Sequence, residues 1–440
     1  MTDNIVICLV GIVVLLVLIF ARMWVGPALI VVSIVGIAIM KDWKFAVTAL
    51  SPIPYSSIAS YTFACIPLFV MMGCAIANTG IGADLYRFAR NMLGKIKGGL
   101  AMATVAACGI FAAICSDSVT SAVVMSKVAY PEMRRNNYSE GLAAASITAG
   151  GTIGIMIPPS VMFILYGMLT ESSIGALFAA GMIPGLTQIL IYIVTVYIVC
   201  KIDPKKSGEV IHITREEKRK SILPVWPIIV IFAVMMGGIY GGFFTPVEAG
   251  AFGTMSVFVI ALSLKRMNKK VTSNIVRDTV QTAGMVVLLI IGAYFFTTFM
   301  AVSGFTSYLS DALIGWQTAN DIPRLTVIIV ILAFFLITGL FLDCLAVLLL
   351  TLGIVFPIVV ALGYHPIWWG VIMVRMLEIS MVTPPYGLNL FVVARSCNVP
   401  IGKIYRGVLP FCAADLGHLV LLVAVPELSL WMPRLMGIIQ

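Results

Sequence analysis

Two aspartates 226 residues apart, Asp117 and Asp343, sit in otherwise apolar surroundings. An ionisable group so placed is costly unless it meets a cation or a partner, so both read as parts of cation sites. Around the first, the chain runs Cys115-Ser116-Asp117-Ser118-Val119-Thr120-Ser121, a dense polar stretch between apolar arms. Its hydroxyls suit the capping of half-helix N-termini, a role compatible with ion coordination.

Downstream of each aspartate lies a helix-breaking cluster. The first is Gly150-Gly151-Thr152-Ile153-Gly154-Ile155-Met156-Ile157-Pro158-Pro159-Ser160, and the second is Ser380-Met381-Val382-Thr383-Pro384-Pro385-Tyr386-Gly387-Leu388-Asn389. Proline removes a backbone donor and glycine loosens the helix, which frees carbonyls and half-helix ends in mid-span. Freed carbonyls suit Na⁺, whereas half-helix N-termini suit an anionic carboxylate. Arg375 and Glu378 precede the second double proline, three residues apart. They read either as an i,i+3 ion pair or, for Arg375, as the fixed charge that reads a carboxylate or sulfonate. In GGIYGGFFTPVEAGAFG (Gly237–Gly253) the chain turns at Gly241-Gly242 and restarts a helix, with Thr245 as cap, Pro246 at the first position and Glu248 in the first turn. A Walker A loop, a nucleophile elbow and an HExxH helix are all missing, so ion coupling rather than ATP is the expected energy source.

The elements that must carry these residues are membrane helices. With 61% hydrophobic and 11% charged residues and a mean hydropathy of +1.08, the surface must face lipid. Apolar stretches such as Ile5–Ala21, Ile58–Ala77 and Val247–Leu264 suit spans of about 20 residues. Alternating barrel patterning is absent, which leaves an α-helical bundle. Ile5–Ala21 lacks the flanks of a signal peptide and reads as the first span. The net charge of +9 sits in loops beside apolar segments, as topology determinants do, and not on a nucleic-acid-binding face. The nine cysteines show no CxxC pair and read as buried thiols, and the histidines His212, His365 and His418 stand apart from metal-ligand partners.

At an offset of 226 residues the chain matches itself: Asp117 on Asp343, Pro131 on Pro357, Tyr138 on Tyr364, Pro158-Pro159 on Pro384-Pro385, Gly181 on Gly407 and Pro184 on Pro410. Four proline matches by accident have a probability on the order of 10⁻⁵ per offset at average proline usage. Loop charge then orients the copies. Arg87, Arg90, Lys95 and Lys97, with Lys127, Arg134 and Arg135, mark cytoplasmic loops, while the equivalent Tyr308–Arg324 and Val359–Pro366 are poor in base. Beyond the double prolines the bias reverses, with Arg395, Lys403 and Arg406 in the second copy. Equivalent loops on opposite sides are the mark of an inverted repeat.

The expected organisation is a first repeat over 1–200, a cytoplasmic linker over 201–220 and a second repeat over 221–440. Five crossings per repeat are expected, near 5–21, 25–40, 59–79, 139–169 and 176–200, then 221–240, 248–264, 279–302, 367–394 and 408–433. Both termini come out external. The leftover segments 99–130 and 325–356 read as re-entrant hairpins with tips near Cys115–Ser118 and Leu342–Cys344. The broken helices are 139–169 and 367–394.

Four stretches carry a specific resemblance: AAASITAGGTIGIMIPPSVMFILYG (Ala143–Gly167), SIGALFAAGMIPGL (Ser173–Leu186), GGIYGGFFTPVEAGAFG and EISMVTPPYGLNLFVV (Glu378–Val393). Through them the chain resembles, over essentially its whole length, the large membrane subunit of tripartite ATP-independent periplasmic (TRAP) transporters. The resemblance implies an all-α ion-transporter fold and a Na⁺-driven elevator in a bacterial inner membrane, with both termini then periplasmic. It also implies a small four-helix membrane subunit, here expected as a separate chain, and a periplasmic substrate-binding protein. Two or more Na⁺ ions are implied. One site falls between the first tip (Ser116, Asp117) and Gly150, Gly151, Gly154 and Pro158. The other falls between Gly339 and Asp343 and the stretch with Thr383, Pro384 and Gly387. Many relatives have glycine at the place of Asp117 and a Pro-Thr pair at Cys344-Leu345. Expected substrate contacts are Ser118, Thr120, Arg375, Thr383 and Asn389, for a small organic anion such as a C4-dicarboxylate, another carboxylate or a sulfonate. A stand-alone ion-coupled anion carrier is the alternative. A membrane enzyme is disfavoured, because no paired carboxylates, His cluster or nucleophile–base set converges.

Overall fold

The computed structural model describes residues 2–115, 117–211 and 213–439, and within them all side chains except those of residues 2 and 112–114. Ser116, one of the expected cation ligands, and His212 lie outside the described residues. Among the described residues no strand forms, and a single backbone bridge joins Tyr138 to Ser207.

The first half comprises α1 (Thr2–Phe20), α2 (Val25–Met40), α3 (Trp43–Leu50), α4 (Ile53–Ile58), α5 (Cys65–Asn78), α6 (Ile81–Leu93), α7 (Gly99–Cys115), α8 (Ser118–Arg135), α9 (Glu140–Met156), α10 (Val161–Thr170) and α11 (Ile174–Ile202). The second comprises α12 (Arg215–Ile222), α13 (Trp226–Tyr240), α14 (Pro246–Ser263), α15 (Lys269–Ser303), α16 (Phe305–Ala319), α17 (Arg324–Phe341), α18 (Cys344–Ala361), α19 (Pro366–Val382), α20 (Leu388–Cys397), α21 (Ile401–Ala424) and α22 (Glu427–Leu435). Nine described helices are long and apolar enough to cross a membrane, or ten when α12 and α13, bent by 46°, count as one span.

Side-chain caps set many of the boundaries. Ser139, Ser160 and Ser173 accept first-turn N–H groups of α9, α10 and α11, so each restart around the first double proline is satisfied locally. Thr245 and Glu248 form a reciprocal capping box on α14 with Pro246 at its start, as its sequence predicts. Thr214 and Glu217 do the same on α12. There Glu217's carboxyl is held below its usual range, chiefly by the Thr214 backbone N–H.

Three features depart from the expected spans. The charged segments before the two hairpins are helices, α6 and α16, not plain loops. In α6, Ile81, Leu85 and Ala89 recur at helical spacing on a buried face while Arg87 points outward, the pattern of a surface helix. The last expected crossing ends early. Pro426, lacking a backbone donor, follows the end of α21, and α22 turns back onto α11 and α19.

Around the two aspartates the packing has one plan. Arms α7 and α8 pack together and both lie on α9, while α17 and α18 pack together and both lie on α19. Beyond each break the partners exchange: α20 rests on α8, and α10 on α18. A separate apolar cluster binds α1, α2 and α3 to the end of α15 through Leu29, Val32, Ile37, Phe299 and Met300.

Candidate functional site

Each hairpin tip is closed by its aspartate. Asp117 Oδ2 accepts the Thr120 N–H at 2.8 Å and caps α8, and Asp343 Oδ2 accepts the Leu345 N–H at 3.1 Å and caps α18. A carboxylate there satisfies an orphan donor and lies at the positive end of the helix dipole. Both acids line one cavity of about 110 Å³, together with Ser118, Thr120, Thr282 and Met381, and among the described residues no basic side chain lines it. Two carboxylates thus share an apolar-walled space with hydroxyls and without a countercharge. Helix α5 reaches this tip because Gly73 has no side chain: a Cβ there would stand 2.7 Å from the Cys115 carbonyl.

The first break backs directly onto the tip. Gly150 lies against Cys108 of α7 and Gly151 against Ala122 and the Ser118 carbonyl of α8, where added Cβ atoms would stand 2.9 and 3.0 Å from their nearest neighbours. These glycines let α9 lie close to both arms. Gly154 and Pro158 are buried, as is the whole stretch from Ile157 to Ser160. The second break is more open: Thr383 and Pro384 are half-buried, and Pro385 and Tyr386 are exposed. Both Pro-Pro bonds are cis.

Asn389 links the two halves. Its Nδ2 donates to Ser118 Oγ at 2.7 Å, while its Oδ1 is buried without a partner among the described residues. Of the expected residues, the structure therefore gathers Asp117, Ser118, Thr120 and Asp343 around one cavity, with Asn389 behind Ser118 and Gly150 and Gly151 against the tip. Gly339 abuts Ser380. Thr383 donates to its own helix at Ile379 O, 2.6 Å away, and neither it nor Pro384 or Gly387 lines that cavity. The carboxylates of Asp117 and Asp343 and the hydroxyls of Ser118, Thr120 and Thr282 are the hard oxygen donors of the cavity wall, beside the sulfurs of Cys74, Cys115, Cys344, Met162 and Met381. The oxygens fit an alkali cation, and among the described residues no imidazole lines the cavity.

Arg375 is elsewhere. It is fully buried, and its Nη1 donates to Glu378 Oε2 at 2.8 Å while its Nη2 pairs with Asp415. The i,i+3 pair expected from spacing is present, and the guanidinium does not face the cavity. Asp415 is the functional-type residue that sequence reasoning missed. Its signal was available, since an acid within the apolar helix FCAADLGHLVLL is itself unusual. Thr282 was missed as well, and a lone threonine in a long apolar helix carries no such signal. A larger cavity of about 620 Å³, lined by Ser56, Ser60, Thr62, Glu171, Thr245 and Tyr294 among others, holds none of the expected residues.

Comparison with known proteins agrees with this architecture. Residues 12–428 match the family described as tripartite ATP-independent periplasmic transporter, DctM component. The C4-dicarboxylate TRAP transporter large permease protein of Pseudomonas aeruginosa is 33% identical, over 86% of this chain and 87% of its own length. The sialic acid TRAP transporter large permease protein of Vibrio cholerae is 30% identical, over 95% and 96%. The solved YdaH transporter of Alcanivorax borkumensis shares the fold, with a TM-score of 0.58 at 15% identity over 87% of this chain and 88% of its own. A helical membrane bundle with two aspartate-capped hairpins and two double-proline breaks, matched by the family over nearly its full length, belongs to the large membrane subunits of the TRAP transporters.

Proposed function

We propose that the chain is the permease of a binding-protein-dependent importer that carries a small organic anion inward together with Na⁺ by an elevator motion. The observation that carries this reading is the cavity shared by Asp117 and Asp343, whose described lining holds two acids and no base. Bound there, two or more Na⁺ ions would supply the missing positive charge. Asp117 and Asp343 would hold them, with the carbonyls freed at Gly150–Pro158 and near Gly339, Thr383, Pro384 and Gly387 as further oxygen donors.

The anion class is a C4-dicarboxylate, another carboxylate or a sulfonate. The relatives named for C4-dicarboxylates and sialic acid, both carboxylate compounds, support it. Ser118 and Thr120, in the first turn of α8, offer hydroxyls to an anion, Asn389 borders Ser118 from the second half, and Thr383, which lies outside that cavity, would have to approach to join them. Arg375 would have to leave two carboxylates to reach that anion, so we assign it to the internal structure of α19 and not to substrate. The 226-residue repeat, with loop charge reversed between copies, supports an elevator in which the hairpins and broken helices move against α1, α2 and α15. It also supports an inner-membrane location with both termini periplasmic. A small four-helix membrane subunit and a periplasmic binding protein complete the assembly.

Reconstitution tests the reading. The chain and its small subunit in liposomes are expected to accumulate substrate only with an inward Na⁺ gradient and the binding protein present. Uptake without Na⁺ would overturn the coupling, and uptake without the binding protein would make this a stand-alone carrier.

A further inference from the structure

The buried group around Arg375 has no part in the reading above. Arg375 and Glu378 come from α19, Asp415 and His418 from α21, and Gln188 and Tyr192 from α11. All six are essentially inaccessible, His418 being the most exposed at 1%. With both acids ionised the group carries two negative charges against one guanidinium. Each acid binds Arg375 through one oxygen; the other, Glu378 Oε1 or Asp415 Oδ2, is buried with no well-aligned hydrogen bond among the described residues, the Gln188 side chain lying beside Glu378 and the Tyr192 hydroxyl beside Asp415. A buried charge with an empty acceptor is the costly state of an ion pair.

The neighbours do not supply the missing positive charge. His418 Nε2 is 2.9 Å from Thr187 Oγ1, and its Nδ1 has no partner, so a doubly protonated ring would bury an unpaired N–H. Cys344 of α18 and Cys412 of α21 donate to the Leu377 and Val382 carbonyls, and Tyr166 of α10 donates to the Pro366 carbonyl. Glu140 of α9 pairs with Lys403 and Arg134, and Glu427 of α22 with Arg434. Asp343 of α18 and Arg395 of α20 lie at their own helix ends.

We propose that this cluster is a proton-binding site, with one proton held on Glu378 Oε1 and directed at Gln188. Gln188 lies against Glu378, and its Oε1 is itself a buried acceptor with no donor among the described residues, so one proton satisfies both oxygens and leaves a neutral cluster. Turning the Gln188 amide over would give Glu378 an N–H but would leave the extra negative charge in place. Asp415 is the better anion of the two: it pairs with Nη2 of Arg375, and the Tyr192 hydroxyl faces it. Release of the proton leaves a net charge among three packed helices, so α11, α19 and α21 hold together best with the proton bound.

Infrared spectroscopy of the full chain in lipid nanodiscs tests the assignment. At neutral pH the wild type is expected to show a carboxylic-acid C=O band that shifts in D₂O and is absent in Glu378→Gln. Asp415→Asn is expected to lose the same band, because Glu378 then ionises against the guanidinium. The wild-type Tm is expected to fall as pH rises from about 6 to about 9, above the ordinary carboxylate range, while that of Glu378→Gln stays flat. A band that persists in either variant, or a wild type with no acid band, overturns the proposal, and a metal ion would then be the compensating charge.

Discussion

Asn389 Nδ2 donates to Ser118 Oγ at 2.7 Å across 271 residues of sequence, and both side chains are buried. The bond ties the first turn of α20 to the first residue of α8, one element from each half. Removing either partner strands the other in an apolar setting. Ser118→Ala and Asn389→Ala are each expected to cost about 1–3 kcal/mol, and the double variant less than their sum. Thermal unfolding of the four proteins of this cycle measures the coupling, and strict additivity would mean that the bond contributes nothing.

Asp117 has a capping duty and, by our proposal, an ionic one. Asparagine caps as well as aspartate but carries no charge. Asp117→Asn is therefore expected to keep nearly wild-type stability in Na⁺-free buffer while its Na⁺-dependent gain in Tm moves to higher concentration. Asp117→Ala is expected to lose about 0.5–2 kcal/mol of cap as well. An unchanged Na⁺ titration in the asparagine variant would reduce Asp117 to a cap.

Gly407 and Gly417 lie on the same helix, α21, and are expected to respond in opposite ways to alanine. A Cβ at Gly407 collides with the Gly141 carbonyl of α9, which is backbone and cannot rotate aside; at Gly417 it meets nothing. Gly407→Ala is expected to cost about 1–3 kcal/mol through overpacking, and Gly417→Ala to be neutral or slightly stabilising. Comparison of the two melting curves checks both.

Arg375→Ala leaves Asp415 and Glu378 facing each other without their shared cation. The expected loss is about 3–5 kcal/mol, visible as poor yield or a lowered Tm before any transport is assayed. An arginine that served only to read substrate would leave the Tm where it was.

What the sequence made legible was local. Asp117, Asp343 and both double prolines announce themselves because charge and missing backbone donors are conspicuous in apolar segments, and both tips and both breaks lie where those residues stand. The early end of α21 is also local, but the proline that causes it was read through as part of a span. Long-range pairings are a different matter. Nothing at Ser118 names Asn389, and nothing at Arg375 distinguishes its neighbour Glu378 from a second acid 40 residues on. Spacing finds partners on one helix and is blind to those supplied by another. The openness of the second break relative to the first belongs to the same class, since the Pro-Pro pair common to both does not say what packs over it.

Each tip aspartate is shared between a helix it terminates and a cavity it faces. One side chain there serves both, and asparagine, which caps without charge, separates the two duties. At each hairpin a single carboxylate thus joins the end of an arm to the electrostatics of the space beside it.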